Sequence, residues 1–165
     1  MYDIKRTSIQ GDYSLIQGDQ EIFVFKAGKM LSSTSEAYYL GQHIEIRKQD
    51  SLSRTHQVFR DGELIAEIVV DWWHANATIR VQDLAGNLKS LSLKRRGMFS
   101  QTFDLVCQEP ALSLLTIDFN LRIAQLNFTY NLRVPSAGAK LFDIPELIIY
   151  CMHALRRYRR MSGNG

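Results

Sequence analysis

The sequence lacks the features by which several classes of protein are recognised. It has two cysteines among 165 residues, Cys107 and Cys151, so a disulfide framework is not expected and a reducing compartment fits better. The first residues contain no apolar core of a signal peptide. No apolar run reaches the roughly 20 residues that a membrane-spanning helix needs. The sequence therefore predicts a cytoplasmic protein without a transmembrane span.

Signatures of catalysis are missing as well. No G-x-S-x-G, G-x-G-x-x-G, P-loop or H-E-x-x-H motif occurs. Cys151 lies in an apolar segment, and Cys107 has no activating neighbour in the sequence. The histidines are too widely separated to give a metal-ligand spacing: His43, His56, His74 and His153. We therefore expect a non-enzymatic protein with no catalytic residue, no metal and no cofactor.

Charge and composition exclude little else. The chain has 20 basic and 17 acidic side chains, a net charge of +3 with histidine neutral. Such a mild excess does not predict a nucleic-acid partner. The fractions of hydrophobic residues (45%) and charged residues (22%) are typical of a globular protein. The length fits one domain over residues 1–165.

Short segments of alternating apolar and polar residues fill most of the chain. Alternation with a period of two indicates a strand with one buried face. In LNFTYNLRV, residues 126–134, the apolar side chains Phe128, Tyr130 and Leu132 alternate with Thr129 and Asn131. We predict further strands at residues 13–16, 22–26, 43–47, 57–59, 64–70, 77–82, 90–94, 99–106 and 112–117.

Turn residues join these segments into hairpins. Asp61-Gly62, Gly86-Asn87 and Gly18-Asp19 each lie between two predicted strands, and such pairs tolerate the positive φ of tight turns. The alternation changes parity between residues 123 and 126, which indicates a bulge or bend. The stretch KMLSSTSEAYY, residues 29–39, is a loop or a short helix. Trp72 and Trp73 are adjacent, so on a strand one should be buried and the other exposed or under a loop.

The chain closes on a segment that favours a helix. Asp143 and Glu146 have the spacing of a capping box, and Pro145 fits a first helical turn. Residues 147–155 carry no formal charge apart from His153, and apolar side chains surround most of the axis. Such a helix is buried in protein or in lipid, and it is too short to span a bilayer. The pattern therefore predicts a sheet curled around the helix.

Three stretches resemble the tubby C-terminal-like superfamily, particularly its LURP-one-related members and the phospholipid scramblases. They are YSLIQGDQEIFVF, IRVQDLAGNLKSLSLKRRGMFSQTFDLV and FDIPELIIYCMHALRRYRR. The resemblance implies a mainly β fold, an antiparallel barrel of about twelve strands wrapped around a buried C-terminal helix. The scramblase Pro-rich segment, cysteine cluster and calcium-binding stretch are not visible in this chain. The phosphoinositide patch of larger tubby proteins has no residue-by-residue match here.

Two short basic stretches are the candidate binding residues. The first comprises Lys94, Arg95 and Arg96. The second comprises Arg156, Arg157, Arg159 and Arg160. A solvated turn would explain the first, and pairing with the carbonyls of a helix C-terminus would partly explain the second. Four arginines exceed what a helix end needs, which favours an anionic partner.

Three functional hypotheses follow. The chain is a binding module that meets anionic phospholipid at a membrane surface, or another phosphate-bearing partner, through its basic residues. Alternatively it is a protein-interaction scaffold, or a barrel that carries a small apolar ligand. The position of the terminal helix separates the third from the others, because a helix in the lumen takes the place of a ligand.

Overall fold

The computed structural model describes residues 2–7, 12–28, 33–71, 73–97, 100–122 and 127–161. Side chains are described for all of these except residues 119–122, 127–129 and 159–161. The twelve strands are β1 Tyr2–Arg6, β2 Tyr13–Gln17, β3 Gln20–Ala27, β4 Ser35–Tyr39, β5 Gln42–Lys48, β6 Thr55–Arg60, β7 Glu63–Asp71, β8 Asn76–Gln82, β9 Leu88–Arg95, β10 Thr102–Cys107, β11 Leu112–Arg122 and β12 Asn127–Arg133. A short 3₁₀ turn, Gly138–Lys140, precedes the helix α1, Ile144–Met161.

The strands form a closed antiparallel barrel in which each strand pairs with the next along the chain. β1 pairs with β12, with Ile4 opposite Tyr130, and this pairing closes the sheet. Closure leaves no unpaired strand edge. The predicted mainly β fold, a barrel of about twelve antiparallel strands with one C-terminal helix, is confirmed.

The helix α1 lies in the interior of the barrel. Residues 147–155 are each at most 5% exposed, and nine residues cover two and a half turns, so every face of this stretch is covered. The core that encloses it combines inward-facing side chains of strands from both halves of the chain. On one side His153 hydrogen-bonds to Ser35 of β4, and on another Tyr158 stacks on Phe103 of β10.

Polar contacts fix the start of the helix. Asp143 caps it, because its Oδ1 accepts a hydrogen bond from the backbone N–H of Glu146 at 3.2 Å, as the spacing predicted. The hydroxyl of Tyr39 donates to the same carboxylate at 3.0 Å. Glu146 is buried and accepts from Arg60 Nη2 at 2.5 Å and from the Tyr150 hydroxyl. The helix therefore begins at the barrel end where β4 and β6 end.

Two strands differ from the sequence prediction. β4 occupies part of the stretch that was open between loop and short helix, and its two fully buried residues are the small Ser35 and Ala37. β1 was not predicted, and Ile4 is its one fully buried residue. The predicted change of parity at residues 123–126 and Trp72 lie outside the described residues.

Candidate functional site

The two ends of the barrel carry opposite charge. The end where α1 begins, here called the acidic end, carries acidic side chains on its turns and in the helix start: Asp19, Asp61, Glu63, Asp83, Glu109, Asp143 and Glu146. At the other end β3, β5, β7 and β9 finish and α1 finishes with them. This basic end carries Lys48, Arg54, Lys94, Arg95, Arg96, Arg156 and Arg157. The excess of one sign at each end is partial, because Arg60, Lys89 and Lys140 also lie at the acidic end, and Asp50, Asp71 and Asp104 also lie at the basic end.

The structure brings the two predicted basic stretches to the same end. Arg95 pairs in register with Phe103, and the Phe103 ring stacks on Tyr158 with centroids 5.9 Å apart. Burial raises the pKa of the Tyr158 hydroxyl, and the charge of Arg95 acts in the opposite direction. Residues 94–96 therefore lie beside the helix end that carries Arg157. The side chains of Arg159 and Arg160 lie outside the described residues.

Arg156 is used inside the protein. It is 9% exposed, and its guanidinium donates to Gly28 O at 2.6 Å, to Thr34 O at 3.2 Å and to Ser35 Oγ at 3.1 Å. These contacts tie the helix end to the end of β3 and the start of β4. We therefore leave Arg156 out of the surface that could meet a ligand.

Arg96 is also engaged, in an ion pair with Asp104. Its Nε and Nη2 donate to the two carboxylate oxygens at 2.9 Å and 2.7 Å. This pair lowers the pKa of the Asp104 carboxyl. Lys94 and Arg95 are exposed and remain the displayed cations of the first stretch.

A pocket of about 570 Å³ opens at the basic end, and Arg157 is one of the residues that line it. Among the residues that the structure describes, its charged lining consists of Lys48, Arg54 and Arg157, without a carboxylate. His56 and Val70 line it as well, together with Leu52 and three serines, Ser33, Ser51 and Ser53. The pocket therefore combines three cations with several hydrogen-bond donors.

The loop between β5 and β6 is held in a defined conformation. The Oδ1 of Asp50 accepts from the backbone N–H groups of Leu52 at 2.9 Å and Ser53 at 2.7 Å. Lys48 Nζ donates to Ser51 O at 2.6 Å. The Asp50 carboxylate is thus held by its own loop, and it is not one of the residues that line the pocket.

Beneath the pocket lies a buried pair of histidines. His153 Nε2 and His56 Nδ1 are 2.9 Å apart, and His153 Nδ1 is 2.9 Å from Ser35 Oγ. Burial, together with the charges of Arg157 and Lys48, lowers the pKa of His56 to about 4. His56 is therefore neutral at pH 7, and the positive charge of the pocket comes from its three cations.

Two large apolar side chains project from the basic end. Leu52, in the β5–β6 loop, is 92% exposed, and Trp73, in the β7–β8 turn, is 69% exposed. The two loops are tied together, because Val70 N donates to Arg54 O at 3.2 Å. This end thus presents apolar tips beside cations.

The acidic end has a different surface. Exposed apolar side chains occur on three successive hairpins, at Leu40, Leu64, Leu84 and Leu88. A pocket of about 390 Å³ between the helix start and two of these hairpins is lined by Glu63, Asp83, Asp143 and Glu146 beside a single cation, Arg60. This surface is unsuited to an anion.

The sequence had not identified Lys48, Arg54 or His56 as binding residues. They come from the β5–β6 region, and Arg157 comes from the helix about a hundred positions later. No local motif joins such residues, because their proximity depends on the helix lying inside the barrel. The sequence signals for this end were the two basic stretches, residues 94–96 and the arginines that follow the apolar helix.

Within the described ranges, no group of three or more His, Cys, Asp and Glu side chains is placed to hold a metal ion. In the same part of the chain, no helix combines the length and apolarity needed to cross a membrane. Comparisons of the chain with protein-family models, with curated proteins and with solved structures gave no match. Function is therefore argued from the geometry and charge of the barrel ends.

Proposed function

We propose that the protein is a non-enzymatic binding module that docks its basic end on an anionic membrane surface. The observation that supports this most strongly is the gathering of both predicted basic stretches, with Lys48 and Arg54, at one end of the barrel. Charges at one end of the barrel can face a flat membrane together, whereas charges spread around the barrel cannot all face it at once. The tubby-like resemblance and a cytoplasmic location remain part of this proposal, since the cytoplasmic leaflet is the anionic one.

The expected strength of such docking is modest. Five cations of the basic end are exposed or line its pocket: Lys48, Arg54, Lys94, Arg95 and Arg157. Each contributes up to about 1 kcal/mol close to an anionic surface at moderate salt. Binding should therefore be reversible and should weaken as salt increases.

The apolar tips fit the same orientation. Trp side chains favour the boundary between headgroups and acyl chains, and Trp73 projects from the basic end together with Leu52. Inserting both would add a contribution that salt does not screen. The proposal thus predicts two separable components of binding, one electrostatic and one apolar.

Vesicle co-sedimentation tests the electrostatic component. We expect binding to phosphatidylcholine vesicles that contain phosphatidylglycerol, at low salt, and none to phosphatidylcholine alone. Changing Lys94 and Arg95 to Gln should weaken binding. The matched control changes Lys89 and Lys140, which lie at the acidic end, to Gln, and it alters net charge equally. Equal loss in both variants, or no preference of the wild type for anionic vesicles, would refute the docking of this end.

A second pair of variants tests the apolar component. Changing Leu52 and Trp73 to Ser should reduce binding to anionic vesicles while leaving its salt dependence unchanged. Leu84→Ser, at the acidic end and 66% exposed, serves as the control. Should Leu84→Ser reduce vesicle binding as much, the orientation proposed here is incorrect.

A protein-interaction scaffold is the second candidate. The observation in its favour is the row of exposed leucines on three neighbouring hairpins of the acidic end, since exposed apolar side chains that cluster often mark contact surfaces. It becomes the first choice if the vesicle experiments fail. We do not propose the carrier of an apolar ligand, because α1 occupies the barrel interior.

A further inference from the structure

We propose that the pocket lined by Lys48, Arg54, His56 and Arg157 binds a phosphomonoester group, the doubly charged phosphate of a small phosphorylated molecule or lipid headgroup. The inference deepens the proposed function, because the pocket lies at the end that would face the membrane. The two can still fail separately, since surface attraction needs only net charge and the pocket needs a defined ligand geometry.

The cations of the pocket are positioned before any ligand arrives. Arg157 is half-buried at the end of a helix whose preceding residues are enclosed by the barrel. Lys48 is half-buried and donates to Ser51 O, which leaves it further N–H groups for a ligand. Arg54 follows a loop that Asp50 holds in place. Prior positioning reduces the entropy that binding must lose.

The charge of the lining favours a dianion over a monoanion. In the described part of the chain, three cations and no carboxylate line the pocket. A phosphomonoester carries a charge of about −1.5 to −2 at pH 7 and three acceptor oxygens, whereas a phosphodiester carries a single negative charge. Arginine and lysine form short, charge-assisted hydrogen bonds to such oxygens. The serine hydroxyls of Ser33, Ser51 and Ser53 supply additional donors.

The volume of the pocket indicates a ligand larger than an ion. About 570 Å³ lies within the range of roughly 300–1,000 Å³ typical of small-molecule sites. More of the accessible lining is apolar than polar, and Val70 and Leu52 contribute to it. A body with a carbon skeleton attached to the phosphate therefore fits the pocket better than a bare phosphate ion.

His56 provides an internal reporter for occupancy. The groups that face it are Lys48 from the neighbouring strand, Arg157 from α1, and His153 through their hydrogen bond; its partner on β7, Ile68, is uncharged. A dianion among these groups offsets the cations that disfavour the protonated imidazole. Binding should therefore raise the pKa of His56, and a ligand held elsewhere on the surface should not.

The experiment titrates the whole chain with glycerol 3-phosphate, a monoester, and with glycerophosphoglycerol, a diester, at equal ionic strength. We expect saturable one-to-one binding of the monoester, at least about tenfold tighter than the diester, with an upward shift of the His56 pKa followed by NMR. Arg54→Gln and Arg157→Gln should each weaken binding about tenfold or more. Lys89→Gln, at the acidic end, should leave it unchanged.

Vesicles distinguish the source of the phosphate. Preference for phosphatidic acid over phosphatidylglycerol at equal surface charge, without affinity for glycerol 3-phosphate, would support the site and assign it to a lipid headgroup. Binding of both phosphatidic acid vesicles and glycerol 3-phosphate would support the site and a soluble ligand as well. Equal response to monoester and diester in both formats would overturn the inference, even if anionic vesicles bind. Arg54 is exposed in a loop, so wild-type affinity in a folded Arg54→Gln variant would also overturn it.

Discussion

His153 of α1 and His56 of β6 are joined by a hydrogen bond of 2.9 Å inside the barrel, between Nε2 and Nδ1. Arg156 can only donate to Ser35 Oγ. An ordered chain satisfies every contact if Ser35 donates to His153 Nδ1 and His153 donates to His56 Nδ1. In that arrangement His56 is a neutral acceptor. Adding a proton to its Nδ1 would require the donor and acceptor roles in both hydrogen bonds, His56–His153 and His153–Ser35, to be exchanged. The helix end is thereby coupled to the protonation of a residue at the pocket.

This coupling predicts a loss of stability in mild acid. The pKa of His56 is about 4 in the folded protein, against 6.5 for an ordinary histidine. Between these values the unfolded chain binds the proton and the folded chain does not, so the contribution is present above pH 6.5 and is lost as pH falls towards 4. We expect the free energy of unfolding to fall by about 2 kcal/mol between pH 7 and pH 5, measured by urea denaturation.

Two variants check the assignment of that pH dependence. His56→Gln should reduce the difference in stability between pH 7 and pH 5. Gln57→Ala, which changes the next residue of β6 and removes no titratable group, should leave it in place. An unchanged pH dependence in His56→Gln would show that the effect comes from another group.

Shortening a side chain in the middle of α1 should destabilise the whole barrel. Ile149 is fully buried, and Ile149→Ala leaves a cavity among rigid strands, at a cost of about 2–5 kcal/mol. Leu84→Ala, on an exposed turn, should change stability by less than about 0.5 kcal/mol. The comparison uses thermal or urea unfolding. A cost for Ile149→Ala no larger than that of Leu84→Ala would contradict a helix enclosed on all sides.

The ion pair at the helix start should matter more than those on the outer surface. Arg60 meets Glu146, whose side chain is 10% exposed, so Arg60→Met leaves a buried carboxylate without its cation and should cost about 3 kcal/mol. Arg80 and Glu67 form a pair whose side chains are 56% and 34% exposed, and Arg80→Met should cost less than about 1 kcal/mol. Equal urea midpoints for the two variants would refute this ranking.

A glycine in the connection to the helix should not tolerate a side chain. A Cβ on Gly138 would lie 3.0 Å from the Cα of Leu114 and 3.3 Å from its carbonyl oxygen. Because backbone cannot yield easily, Gly138→Ala should cost about 1–3 kcal/mol. Gly97→Ala is the control, since its Cβ would meet nothing closer than 3.9 Å. The melting temperatures of the two variants should therefore separate clearly.

The barrel was predictable because its inner and outer residues alternate. β5, β8 and β9 have apolar inward residues and polar outward ones, and this is the pattern from which strands are read. The buried helix was predictable because a helix apolar on all faces requires an enclosure. In both cases the apolar or polar character of each residue indicates whether its side chain is buried.

β4 and the pocket were not predictable for a shared reason. Two of the three inward positions of β4 hold the small Ser35 and Ala37, which give a weak apolar alternation, and the third holds Tyr39. Ser35 contacts His153 and Arg156 across the interior, so its identity reflects the helix and not the strand. The pocket likewise combines Lys48 and Arg157, which come together only in the folded barrel. Arg156 looked like a surface cation because the sequence does not show which carbonyls it meets.

The order of elements along the chain has a consequence for folding kinetics. The seam between β1 and β12 joins residues such as Asp3 and Asn131, and the core-forming helix follows all twelve strands. Contacts so distant in sequence are associated with slow folding. Until α1 lies in the barrel interior, the inward-facing side chains of the strands can be buried only against one another. If the sheet collapsed before α1 reached the barrel interior, the apolar helix would be left outside. Partly folded chains should therefore expose apolar surface and depend on protection from aggregation.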